Sequence, residues 1–174
     1  MVLVDKMIKE RATEIFLEGY DESSVTAISY DLHIEGIVCG EKLVDSFILR
    51  PGEIVFIKTK EMIRMPNDLM GRIGEKNSRM RQGLCVAGPH YFPGHQTYLY
   101  LRVQNISSGT IQIKEKDAIA QIIFEELGGK PETSYEYQKQ ASFNYEEEYR
   151  GLAKYKDEYE ERLGKIADAS KKLE

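Results

Sequence analysis

From Val25 to about Glu126 the chain is cut into short runs rich in Val, Ile, Tyr and Thr, closed by glycine, proline, asparagine or aspartate. AISYDLHI, DSFILRPGEIVFIKT, TYLYLRVQN and GTIQIKEKDAIAQIIFEEL are the clearest of these. β-Branched and aromatic side chains suit a pleated, half-buried surface, and such frequent turn residues leave little room for long helices. Pro51-Gly52, Pro66-Asn67-Asp68, Pro93-Gly94 and Ser108-Gly109 read as turns, because proline presets φ and glycine accepts left-handed backbone. The expectation is a mostly β domain, either a sandwich, a jelly roll or a barrel.

The flanks read differently. In DKMIKERATEIFLE, residues 5–18, Met7, Ile8, Ala12, Ile15, Phe16 and Leu17 recur at spacings of three and four, which predicts a short amphipathic helix. Residues 128–144 are polar and poor in branched aliphatics, and read as an extended tail. Beyond them Tyr145, Leu152, Tyr159, Ile166 and Leu173 recur every seven residues, with Tyr155 and Ala169 between them. That period predicts a C-terminal helix over 145–174 that either lies on its own domain or self-associates as a left-handed coiled coil. Arg162 and Gly164 interrupt the pattern. The division is therefore a β domain over 1–127, a tail over 128–144 and a heptad-patterned helix over 145–174.

A chain of 174 residues suits one domain and buries about 70% of its unfolded surface. A net charge of −5 disfavours nucleic acid as a partner. No run of apolar residues reaches membrane-spanning length, and the N-terminal MVLVDKMIKERATEIF has no apolar signal core. With two cysteines, Cys39 and Cys85, and no CxxC, the expectation is reduced, packed thiols in a cytoplasmic protein. Three histidines and two cysteines show no metal-ligand spacing, so no metal site is expected in the chain itself.

Two polar clusters stand out. GRIGEKNSRMRQGL, residues 71–84, gathers Arg72, Lys76, Arg79 and Arg81 with Asn77 and Ser78, and reads either as an anion site or as a solvated basic turn. GPHYFPGHQ, residues 88–96, places His90 and His95 around Tyr91 and Phe92, and reads either as a loop holding an aromatic base or as a loop shaped by proline and glycine. His33 reads as an ordinary surface or packed side chain. No GxSxG or GxxxxGK[ST] is present.

Taken in order, several segments resemble the dCTP deaminase branch of the dUTPase-like superfamily. SYDLHI at 29–34, LRPGEIVFIKTKEMIRMPNDLMGRIGEKNSRMRQGL at 49–84, FPGHQTYLYLRVQN at 92–105 and DAIAQIIFEEL at 117–127 are similar to that family's successive motifs, and SYEYQKQASF at 134–143 to its C-terminal tail. The resemblance implies a distorted jelly-roll-like β-barrel and a homotrimer. It also implies active sites built between subunits, with the tail closing over the nucleotide. A pyrimidine deoxynucleotide or related anion is then the implied ligand, with Mg²⁺ carried on a triphosphate. The implied nucleotide-binding positions are Lys76, Asn77, Ser78, Arg81, Arg102 and Tyr135.

The sequence departs from the family at the positions that carry the chemistry. The glutamate that shuttles protons in the family's L-E-x-x-N strand falls on Arg102, and arginine is no base at neutral pH. The water-orienting serine falls on Asn77, and the dUTPase aspartate falls on Phe92. The lysine expected near the triphosphate is Ser142, and Glu146, Glu147 and Glu148 follow it. Glu75, His90 and His95 are the candidates for a relocated base. Three readings stay open: a deaminase or dUTP diphosphatase-like hydrolase, a binding module without chemistry, and a trimeric scaffold working through its C-terminal helix.

Overall fold

The computed structural model describes residues 1–132 and 143–151. Among these the chain forms eleven strands: β1 (Phe16–Glu18), β2 (Tyr30–Cys39), β3 (Lys42–Val44), β4 (Ser46–Leu49), β5 (Ile54–Arg64), β6 (Leu69–Glu75), β7 (Leu84–Ala87), β8 (His90–Tyr91), β9 (Gln96–Asn105), β10 (Ile111–Lys114) and β11 (Ala118–Glu126). Its short helices include α1 (Asp5–Glu10), α2 (Ala12–Ile15) and α3 (Asn77–Gln82). The main sheet runs β7-β9-β5-β2-β11-β6-β8, with β1 added to β5 and β3 to β2, and β10 pairs with β4 separately. The protein is thus mostly β, as expected, and its sheet curls into a half-barrel. No helix among the described residues is long and apolar enough to cross a membrane.

Alternation along the strands produces the core. In β2, Tyr30, Leu32 and Ile34 turn inward; in β9, Leu99, Leu101 and Val103 do the same. They meet Ile57 and Ile63 of β5 and Ile122 and Phe124 of β11, all fully buried. Phe16, Tyr20, Tyr30 and Phe124 form an aromatic cluster at one end, with ring centroids 4.5 to 5.9 Å apart.

The curl brings the two ends of the sheet together. A Cβ on Gly88 would lie 2.7 Å from both Ile73 of β6 and Leu101 of β9, so only glycine fits where the faces converge. Across the same seam the Val86 amide donates to the Glu75 carboxylate at 2.8 Å, a side-chain bond where no ladder exists.

β5 is irregular in its middle. Its register on β9 slips between Lys58 and Met62, and the Thr59 hydroxyl fills the gap by donating to the Glu61 carbonyl at 2.9 Å and accepting from the Leu99 amide at 3.0 Å. The slip turns Glu61 fully inward, where it takes His33 Nδ1 at 2.9 Å and the His33 amide at 3.1 Å. His33, read from sequence as an ordinary surface or packed side chain, is therefore the half-buried partner of a buried carboxylate.

Three expectations need correction. The helix over 5–18 is two short pieces that give way to β1 at Phe16. Arg11 leaves helical geometry at the break, and its guanidinium is held by Glu14 and Asp68. The C-terminal helix does not start at Tyr145: residues 143–151 are non-helical, and Tyr145 has φ +56°. Backbone bonding to β9, described below, competes successfully with the heptad pattern there, and the rest of that pattern, residues 152–174, lies outside the described residues. Cys39 is exposed rather than packed, because it ends β2 at the β2–β3 turn.

Asn105 locks the end of β9. Its buried amide donates to the carbonyls of Leu49 at 2.9 Å and Gly109 at 2.7 Å, while its oxygen accepts from the Ser107 amide at 2.9 Å. Asn105→Ala leaves these groups unpaired and should lower the unfolding free energy by about 2 to 3 kcal/mol in urea denaturation. A loss below about 0.5 kcal/mol, typical of an exposed position, would show that Asn105 is not a structural lock.

Candidate functional site

Arg102 stands on the outward face of β9, opposite Phe56 of β5 and Ala87 of β7. Together with Gly88, Pro89 and Tyr100 these residues line an open pocket of about 240 Å³. Outward placement follows from strand parity: Leu101 and Val103 take the core, so Tyr100 and Arg102 take the other face. Among the described residues the Arg102 guanidinium makes no hydrogen bond or ion pair. The pocket thus combines two aromatic walls with a positive charge that no described residue compensates.

The other implied binding residues lie apart from it. Lys76 precedes α3 and is paired with Asp31 at 2.5 Å. Within α3, Arg79 donates to the Ala118 carbonyl at 2.9 Å and pairs with Asp117 at 3.4 Å, and Arg81 donates to the Asn77 side chain at 2.9 Å. The basic cluster of residues 71–84 is therefore a strand and a helix whose charges are largely met within the fold, rather than a basic turn. Asn77, Ser78 and Arg81 are exposed. α3 leads through Gly83 into β7 at the Asn105 end of β9, whereas Arg102 pairs with Ala87, about 10 Å further along the strand. Neither α3 nor Phe92, which follows β8, lines the Arg102 pocket. Tyr135 lies outside the described residues.

The candidates for a relocated base do not line the pocket either. Glu75 is held by the Val86 amide in the seam, and His90 pairs with Arg72 in the ladder. His95 Nε2 bonds the Phe143 carbonyl at 3.0 Å, and burial holds its pKa below the ordinary histidine value.

Sequence reasoning missed an element that packs on two of the pocket's residues, Phe56 and Tyr100. Residues 143–151 lie along the edge of β9 as a strap. The Gln96 amide donates to the Asn144 side chain at 3.0 Å, the Tyr145 amide to the Gln96 carbonyl at 2.7 Å, and the Tyr98 amide to the Glu146 carbonyl at 3.3 Å. Thr97 and Glu146 form a parallel bridge, and the Tyr100 hydroxyl donates to the Glu147 carbonyl at 2.8 Å. The strap then sets the Tyr149 ring against Phe56, with centroids 5.1 Å apart, and against Tyr100 at 5.4 Å. The heptad reading of this stretch hid its role, since Tyr145 and Glu146 act through their backbones.

The comparisons with known proteins agree with this architecture. A family model described as dCTP deaminase-like matches residues 40–127. The dCTP deaminase of Pyrococcus horikoshii is 30% identical over 149 residues, which cover 82% of this chain and 93% of that protein. This chain belongs to the dCTP deaminase-like family. A relative named dCTP deaminase, dUMP-forming, from Methanothermobacter thermautotrophicus is 25% identical over 152 residues, covering 86% of this chain and 73% of its own. The crystal structure of 2′-deoxycytidine 5′-triphosphate deaminase from Agrobacterium tumefaciens superposes with a TM-score of 0.62 at 17% identity. That match covers 73% of this chain but 49% of the other, so the chain spans about half its length, and the likeness is one of fold.

The strap carries a titratable anchor. Glu146 is buried, and its carboxylate accepts the Arg150 amide at 2.6 Å. Desolvation outweighs Arg150 and holds the Glu146 pKa above its usual value of 4.5. A raised value means that the docked strap favours neutral Glu146: that contribution is complete below pH 4.5 and is lost as pH rises through the raised value. His95 works in the opposite sense, contributing fully above 6.5 and losing its contribution as pH falls through its depressed value. Glu146→Gln keeps the acceptor oxygen and removes the charge. At neutral pH it should slow exchange of the Tyr98 amide several-fold relative to the parent, with the difference shrinking towards about pH 4. Faster exchange in the variant at neutral pH would mean that the charge holds the strap in place.

Proposed function

We propose that this chain is a nucleotide-binding member of the dCTP deaminase-like family that holds a pyrimidine deoxynucleotide, or a related anion, without deaminating it. The observation that carries this reading is Arg102, whose guanidinium, unpaired among the described residues, lines a pocket with Phe56 and Tyr100 where the resemblance calls for a proton-shuttling glutamate. Deamination requires a base within hydrogen-bond reach of the attacking water, and a guanidinium stays protonated at neutral pH. The same charge favours an anionic ligand through charge-assisted bonds.

In this reading the protein works in the cytoplasm as a homotrimer, and Mg²⁺ enters on the triphosphate. Trimer formation gives the exposed face of α3 its purpose: Ser78 and Arg81 of one subunit reach the phosphates of a nucleotide held in the Arg102 pocket of the next, with Lys76, Asn77 and Tyr135 completing the shell. Support comes from the separation of α3 and Arg102 within one chain. A scaffold acting through the C-terminal helix rests on residues outside those described, and nothing in the pocket favours it.

The test combines binding and turnover. Titration calorimetry with dCTP and with dUTP, each with Mg²⁺, should show binding, while chromatography of the same mixtures shows no dUTP, dUMP or pyrophosphate above a protein-free control. Arg102→Glu should weaken binding at least about ten-fold, the scale of a lost charge-assisted bond. Product formation, or unchanged affinity in Arg102→Glu, would overturn the proposal. Sedimentation equilibrium tests the trimer separately.

A further inference from the structure

We infer that the strap of residues 143–151 braces the Arg102 pocket from outside, and that Tyr149 is the positioning residue that holds the two aromatic walls ready for a nucleotide's base. The inference rests on the nucleotide-binding reading of that pocket. Phe56 and Tyr100 line the pocket whereas Tyr149 does not, and the pocket is open with the strap docked. Tyr149 nevertheless meets both walls, its ring centroid 5.1 Å from that of Phe56 and 5.4 Å from that of Tyr100. Such separations are those of favourable aromatic pairs.

The walls have need of a brace. Phe56 and Tyr100 stand on the outer face of the sheet, on different strands, and both are only partly buried. Register puts Phe56 opposite Arg102 and Tyr100 opposite Lys58, so the two rings are diagonal neighbours rather than a facing pair. An aromatic side chain on an outer face has more than one rotamer open to it, and a ligand that stacks there must first order it. Tyr149 spans the diagonal and packs on both rings at once. The strap holds Tyr100 a second time, through the hydroxyl that donates to the Glu147 carbonyl at 2.8 Å.

The strap's own position comes from β9. Its bonds to Gln96 and Tyr98 fix it two residues before Tyr100, so the Tyr149 ring arrives at the walls by way of the strand that carries one of them. Side chains locked by a supporting layer bind without the cost of being ordered. A ligand that needs the walls in place favours the docked strap in return, so pocket occupancy and strap docking reinforce each other by the same factor.

Walls that are in place in only about one molecule of five weaken the apparent affinity about five-fold. Titration of dUTP and of dCTP, each with Mg²⁺, into the full chain should show Tyr149→Ala binding about five-fold more weakly than the parent. Tyr149→Phe, which keeps the ring, should stay close to the parent. In the parent, saturating nucleotide should slow hydrogen exchange at the Tyr98 amide, whose acceptor is the Glu146 carbonyl, by a similar factor. Unchanged or tighter binding in Tyr149→Ala, an equal loss in Tyr149→Phe, or unchanged or faster Tyr98 exchange with nucleotide would overturn the bracing while leaving nucleotide binding intact. A parent that binds neither nucleotide would overturn the nucleotide reading and the bracing with it.

Discussion

The backbone edge of β9 sets the terms for everything around it. Its inner edge is matched by β5 from Ile54 to Arg64, apart from the slip that Thr59 fills. Its outer edge is shared: β7 takes Arg102 to Asn105, and the strap takes the stretch around Gln96 to Tyr98. Backbone groups at a half-buried edge must find partners, and an open edge of this length invites association. The need is met in two halves by segments far apart in sequence, and the pocket sits at the junction between them. Pocket and strap are thus two consequences of one unpaired edge.

On that edge a single side chain changes what the site can do. Strand parity sends residue 102 outward beside Tyr100 in any member of the family that keeps the β9 register. With an acid there the pocket would carry a base; with Arg102 it carries a fixed positive charge among aromatic rings. The fold is indifferent to the exchange, because Arg102 is exposed and the inward Leu101 and Val103 hold the strand. Fold and chemistry therefore separate cleanly, which is why membership of a deaminase-like family and a binding role without deamination are compatible.

Legibility followed the range of the interactions. The strands and their turns came through because runs of β-branched and aromatic residues, and the glycines and prolines that close them, are local signals. The Glu61–His33 pair did not: it depends on a slip in β5 that Thr59 makes favourable only once β9 lies alongside. The basic run of residues 71–84 was readable as charge but not as neutralised charge, since Asp31 and Asp117 arrive from strands β2 and the approach to β11. The strap was misread because seven-residue spacing at Tyr145 and Leu152 suggested a helix, whereas backbone bonds to Gln96 and Tyr98 outweighed that weak periodicity.

The sequence by itself determined the mostly β body, its turns, its family and the presence of an arginine at position 102. Those properties depend on residue type, local period and ordered motifs, all of which are written along the chain. Only the tertiary structure decided that Arg102 lacks a charge partner among the described residues, that Lys76 has one, and that Tyr149 packs against Phe56 and Tyr100. Each of those facts is a pairing across tens of residues, and pairing is settled by the curl of the sheet rather than by any segment alone.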